Sequence, residues 1–159
     1  MTSAVEHARR LLDLVAERLD AADRPTPKRR YVTPGAQAVW DDEQMTVAVL
    51  RPSIPGAVSQ ATNPRARPCP GPRHVELRLE IVRCIPAGTV TGGGVFVPPD
   101  PEACEQAAEN LLADAGVLSA LTPADLTGVA GRPATLGTVQ TMGPEGGLAG
   151  SFVTVLVPL

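Results

Sequence analysis

Hydrophobic and polar positions follow two different periods along the chain. Between residues 3 and 21, apolar side chains recur every three or four positions, which predicts an amphipathic helix with one buried face. Ser3 and Glu6 at its start have the capping-box pattern. Residues 74–85 alternate apolar and charged side chains, which predicts a strand with one buried and one wet face. Near Val82 this strand becomes apolar on both sides, as if another element or another subunit covered it.

Four more strands and a second helix are predicted from β-branched runs and turn residues. The strands are expected at residues 29–33, 45–50, 134–142 and 150–157, with a hairpin loop at 143–147. The second helix is predicted to begin with Asp100 as its N-cap and Pro101 as its first residue. Gly116 is the predicted C-cap. Residues 117–131 are expected to form a short helix or turn and a Gly-rich link.

The resulting order, α-β-β-β-α-β-β, predicts an α/β protein of the α+β type. We expect a mixed or mainly antiparallel sheet of about five strands with two main helices packed on one face. A length of 159 residues suits a single domain, here spanning residues 1–159. Long Pro/Gly-rich loops are expected at 51–73 and 86–99, and the first contains six prolines and four arginines.

Charge is distributed unevenly along the sequence. Residues 1–99 carry 13 basic and 10 acidic side chains, whereas residues 100–159 carry 1 basic and 7 acidic ones. The net charge of −3 argues against a nucleic-acid binder that works by bulk electrostatics. Two faces of opposite sign would suit head-to-tail contacts between copies, and an ordinary acidic helix explains the asymmetry equally well.

Little in the sequence indicates catalysis, and no cofactor or metal site is expected. Three cysteines without a CxxC pair argue against a disulfide framework or a zinc site. Cys84 and Cys104 are expected to be structural thiols, and Cys69 with His74 is a weak candidate for a catalytic pair. The acidic run 41–43 is interpreted as a solvated turn. The Gly92-Gly93-Gly94 run lacks the Lys-Ser/Thr that a phosphate loop requires.

Arginines and the two long loops are the candidate contact features. An exposed segment rich in arginine and proline can bind phosphates or an acidic protein surface. The scarcity of aromatic residues disfavours recognition of nucleic-acid bases. We therefore favour contact with an acidic partner subunit. The candidate protein–protein contact residues are Arg29, Arg30, Arg65, Arg67, Arg73, Val95 and Phe96.

The layout as a whole resembles the tail terminator proteins of long-tailed, siphovirus-like phages, especially those infecting actinobacteria. The resemblance lies in the order of an opening helix (AVEHARRLLDLVAERL), two strands (RRYVTPG and MTVAVLRPSIPG), an alternating strand ending in RCIP, and a capped helix (PPDPEACEQAAENLLADAGVL) before a C-terminal strand pair. It covers nearly the whole chain, and it depends on this order and spacing because no single motif is diagnostic.

The resemblance implies a structural virion protein without catalytic residues. Such a protein would be made in the host cytoplasm and form a homo-oligomeric ring, expected to be a hexamer. The ring would terminate the tail tube and join it to the head-completion or stopper protein, with double-stranded DNA passing through its lumen. A head-closure or adaptor protein, and a small non-viral cytoplasmic binding module, are the alternatives. No membrane association is expected, since no apolar run is long enough to span a bilayer.

Overall fold

The computed structural model describes residues 3–35, 38–53 and 74–158, and only the backbone of residues 51–53. Three helices are present: α1 (Ala4–Ala21), α2 (Pro101–Ser119) and α3 (Pro123–Ala130). The strands are β1 (Arg29–Pro34), β2 (Gln44–Ser53), β3 (His74–Cys84), β4 (Thr89–Val90), β5 (Phe96–Val97), β6 (Thr135–Leu136), β7 (Gln140–Glu145) and β8 (Leu148–Pro158).

Helix α1 forms where the amphipathic period predicts it. The backbone N–H of Glu6 donates to the Ser3 hydroxyl, so the predicted N-cap is confirmed. Its buried face consists of His7, Ala8, Leu11, Leu12, Val15, Ala16 and Leu19. The apolar period predicts a buried stripe of Val5, Ala8, Leu12, Val15 and Leu19, and all but Val5, which is exposed, are buried.

The main sheet has six strands, with β1, β2, β3, β8 and β6 in that order and β7 paired to β8 beside β6. The β1–β2 pair is parallel and all other pairs are antiparallel, so the sheet is mixed. The long β3–β8 pair forms its centre, where Leu77 lies opposite Val155 and Leu79 opposite Val153. These apolar positions share one face because successive side chains of a strand point to opposite faces.

All three helices contribute to the core on that face of the sheet. Buried residues of α1, Leu118 near the end of α2, and Leu126 with Val129 of α3 pack against apolar side chains of β2, β3 and β8. The α+β class and the helices packed on one sheet face are therefore confirmed. Among the described residues, none of the helices combines the length and hydropathy needed to cross a membrane.

The predicted C-cap of helix α2 is wrong. The helix continues past Gly116 to Ser119 and is capped by Ala120, and Gly116 lacks the positive φ of a C-cap glycine. The short helix predicted as one possibility within residues 117–131 is present as α3, which has a capping box between Thr122 and Asp125 and a left-handed C-cap at Gly131.

The C-terminal strands also differ from prediction. The segment predicted as one strand at 134–142 is divided into β6 and β7, because Gly137 lies outside both strands and donates its N–H to the carbonyl of Thr154. The predicted loop at 143–147 is shorter. β7 continues to Glu145, and the turn consists of Gly146 and Gly147, both with positive φ.

Candidate interaction surface

Residues 86–99, predicted as a loop, contain a small β-hairpin instead. Strands β4 and β5 pair antiparallel, with Val90 opposite Phe96. Thr91 accepts from Gly94 and donates its backbone N–H to Val95, and Gly94 adopts φ of +78°, so the glycine run supplies a turn. The sequence could not indicate this pairing from strands of two residues. We call residues 88–97 the arm.

The arm exposes most of the bulky apolar side chains that the described chain leaves open to solvent. Val90, Val95, Phe96 and Val97 are 69%, 63%, 61% and 45% exposed. The Phe96 ring lies against Gly88, where even a Cβ atom would come within 2.2 Å of it. Val95 and Phe96, both candidate contact residues, are therefore available for contact. An exposed apolar cluster of this kind is a candidate interaction surface.

A groove lies at the base of the arm, between helix α2 and the β7–β8 turn. Its volume is about 730 Å³ and none of its lining residues is charged. It is lined by Ile85, Pro86, Ala87, Pro99, Cys104, Ala107, Ala108, Leu111, Leu112, Thr141, Met142, Gly143, Pro144, Gly146, Gly147 and Ala149. The backbone N–H of Ile85 donates to the carbonyl of Gly147 at 2.9 Å, which joins the arm's base to the turn.

The elements that form the groove also carry acidic side chains. Glu102, Glu105 and Glu109 are exposed on α2 at helical spacing, on a stripe beside its groove-lining residues, and Leu112 continues that stripe and is 68% exposed. Glu145, also exposed, follows the groove residue Pro144 in β7. The acidic half of the sequence thus supplies the elements on either side of an uncharged depression.

The predicted arginine cluster is only partly described. Arg65, Arg67 and Arg73 lie outside the described residues. Arg29 forms an ion pair with Asp41, whose hydrogen bond lowers the pKa of Asp41 and raises the pKa of Arg29. Arg30 is exposed on the edge strand β1. Arg29 is therefore less available for intermolecular contact than the sequence alone indicates, because it already pairs with Asp41.

A buried ion-pair network escaped the sequence analysis. Asp114 of α2 is 1% exposed and accepts from Arg83 Nε at 2.8 Å and from Arg24 Nε at 3.2 Å. Arg83 also donates to the carbonyl of Pro25. A signal was present, because Asp114 lies on the same helical stripe as Leu111 and Leu118. The network fixes α2 to the end of β3 and so positions one wall of the groove.

The second face of the sheet is drier than the alternating pattern predicts. Glu80, expected to be wet, is 1% exposed, and its carboxylate lies 2.6 Å from Arg78 Nε and accepts from the Trp40 indole at 3.3 Å. The Arg78 guanidinium stacks on the Phe152 ring at 3.8 Å. Val82 is fully buried, so the expectation that this end of the strand is covered is confirmed.

The candidate reactive residues are scattered. Cys69 lies outside the described residues, and His74 begins β3. Cys84, expected to be buried, is exposed at the end of β3. Desolvation of its sulfur, followed by the charges of Glu43 and Asp42, raises the pKa of the thiol. A raised pKa keeps this thiol protonated and poorly nucleophilic at neutral pH.

The other titratable candidates have structural contacts. The ring of His7 is buried and its Nδ1–H donates to the carbonyl of Val129 at 3.2 Å, which ties α1 to α3. In the acidic run, Glu43 accepts from the backbone N–H of Cys84. Within the described ranges, no three His, Cys, Asp or Glu side chains are grouped closely enough to hold a metal ion.

No model of a known protein family matches the chain, and no curated protein matches it.

Proposed function

We propose that this protein is a non-enzymatic subunit of an oligomeric ring at the junction of tail and neck in a long-tailed phage. In this role the ring ends polymerisation of the tail tube and offers a docking face to the head-completion or stopper protein. A head-closure or adaptor subunit of the same neck region is the related alternative. The proposal rests on the resemblance in element order together with the surface features of the fold.

The observation that carries the proposal is the arm. A hairpin with four exposed apolar side chains and no charge is costly for a chain that stays alone, because such surface favours association and aggregation. A ring subunit requires two different surfaces on one chain that are complementary to each other, so that each copy binds the next head-to-tail. The arm and the groove are two such surfaces.

The acidic groups of α2 support a place beside passing DNA. A lumen through which DNA slides should not bind phosphates tightly, and a negatively charged wall satisfies that requirement. We expect α2 or the region of Glu145 to lie closer to the channel than Arg65 and Arg67. A ring structure with those two arginines lining the pore would contradict this placement.

The first experiment measures the mass of the purified protein by native mass spectrometry, alone and after mixing with the tail-tube protein that the proposal requires as its partner. The proposal predicts a closed oligomer, formed alone or at tube ends, and tubes that stop growing when it is added. The variant Phe96→Asp, which introduces a charge into the arm, should lose the oligomer, whereas Val39→Asp, which introduces the same charge at an exposed valine outside the arm and groove, should keep it. A monomer that ignores tubes would contradict the proposal.

A small-molecule binding module is the second candidate, and the groove favours it. A largely apolar depression of about 730 Å³ lies within the range of ligand pockets. Saturable binding of a small apolar compound by a persistent monomer, abolished by Ala108→Arg, would support this alternative. An enzyme based on Cys69 or on the 41–43 carboxylates is the third candidate. If the variants Cys69→Ala and His74→Ala keep the protein's activity, catalysis by Cys69 is excluded.

A further inference from the structure

The arm and the groove match each other in chemistry, and we infer that the arm of one copy docks in the groove of a second copy. This inference rests on the proposed ring function and specifies the contact between neighbouring subunits. It assigns the arm residues Val95 and Phe96 as donors and the α2 residues Ala107, Ala108 and Leu112 as the acceptor wall.

The first argument is that the arm lacks sufficient support from its own chain. Its strands have two residues each, and among the described elements each strand packs chiefly against the other. An isolated two-stranded hairpin is at best marginally stable in water. The arm therefore gains most from a surface that covers Val90 and Phe96, and its own body does not supply one.

The second argument is the fit of the groove. Small residues on both walls, among them Ala107, Ala108 and Gly143, leave depth for bulky side chains. A volume of about 730 Å³ holds several branched or aromatic side chains at the packing density of a protein interior. Backbone and methyl groups dominate this lining, so an occupant without charge is preferred.

The third argument is electrostatic. The exposed carboxylates of α2 and Glu145 of β7, on the elements that form the groove, disfavour phosphates and acidic peptides, whereas residues 86–99 contain no charged side chain. The arm can therefore enter the uncharged groove without burying an unpaired charge. Nucleic acid is disfavoured as the occupant for the same reason.

The fourth argument is area. At their exposed fractions, the four apolar residues of the arm present roughly 400 Å² to solvent, about half of the ~800 Å² that each partner contributes to a standard interface. Because each copy in a ring donates one arm and receives another, two such surfaces on every subunit become buried. Donor and acceptor are different surfaces, which is the condition for a head-to-tail contact.

The test uses Cys104, which lines the groove, as a natural acceptor. Acceptor chains carry Cys69→Ser and Cys84→Ser and retain Cys104. Donor chains carry all three cysteines as serine together with Thr89→Cys, which places a thiol on an exposed position of the arm and keeps Val95 and Phe96. The two populations, each checked for wild-type thermal stability, are mixed with and without tail tubes and treated with a short bis-maleimide. Because each chain has one thiol, only an intermolecular link between arm and groove gives a donor–acceptor dimer.

The inference predicts donor–acceptor dimers, lost when Cys104 is replaced by serine and lost when the donor thiol is moved from Thr89 to the exposed Val39. Oligomers of wild-type mass that give no such dimer would overturn the arm-in-groove contact and leave the ring proposal standing. A protein that stays monomeric alone and with tubes would overturn both. If donor–donor links predominate instead, the arms meet each other and the groove belongs to another occupant.

Discussion

Replacement of Asp114 by asparagine is the sharpest test of what holds α2 on the sheet. The carboxylate is buried and lies between two guanidinium groups, at 2.8 Å from Arg83 Nε and 3.2 Å from Arg24 Nε. Asparagine keeps the size of the side chain and removes its charge. The two arginines then share a neutral oxygen in a site from which water is largely excluded.

The expected loss of unfolding free energy in Asp114→Asn follows from the burial of the ion-pair partners. Breaking a buried ion pair by removing one charge costs about 3–5 kcal/mol, because the remaining charge is left uncompensated. The amide oxygen still accepts one hydrogen bond, and Arg24 is partly exposed at 18%, so we expect the lower end, about 3 kcal/mol. For a chain of this length, that loss lowers the Tm by about 6–12 °C.

The assay is urea unfolding followed by circular dichroism, with Glu109→Gln as the matched control because Glu109 is exposed on the same helix. The control should stay within about 0.5 kcal/mol of wild type. Adding Arg83→Met to Asp114→Asn should cost less than it does in the wild-type background, because the arginine has already lost its partner. A loss below about 1 kcal/mol for Asp114→Asn would refute the view that this network anchors α2.

Three further predictions concern the backbone and the caps. Gly150→Ala should destabilise by about 1–3 kcal/mol in urea unfolding, since the new Cβ would lie 2.6 Å from the Ile81 carbonyl oxygen, and a neutral result would contradict that close approach. Gly116→Ala should stabilise by about 0.5–1 kcal/mol, because this glycine lies inside α2 with open space around it, whereas a true C-cap would be destabilised. Asp125→Ala should cost about 1 kcal/mol at neutral pH through loss of the capping box. Hydrogen bonds from Thr122, and then from Arg18, lower the pKa of Asp125, so its contribution is complete above the usual value of 3.8 and is lost as the pH falls below it. The difference between the unfolding midpoints of the two proteins should therefore be smaller at pH 3 than at pH 7, and an equal difference at both pH values would contradict this.

The parts of the fold that follow from local pattern were predictable. Helix α1 follows its period throughout and strand β3 follows its alternation as far as Ile81. Asp100 marks the start of α2 by its side chain, which accepts from the N–H of Ala103. Periodicity reports which side of an element is apolar, and the sheet and its helices follow from that.

The rest depended on contacts that are distant in sequence. Glu80 looks solvated by its alternation, and it is buried because Trp40, forty residues earlier, covers it. Asp114 looks like one acid among several, and its role depends on Arg24 and Arg83. In the arm, Phe96 is exposed and stays a predicted contact residue, and the pairing of β4 with β5 could not be predicted because strands of two residues give no periodic signal.

The contact between Trp40 and Glu80 has a practical consequence. Trp40 is the chain's only tryptophan, and it is half-buried on the second sheet face, opposite the core that the helices cover. Its fluorescence therefore reports a single known place without any label. Quenching or a spectral shift when a neighbour is added would tell an experimenter which side of the sheet that neighbour covers.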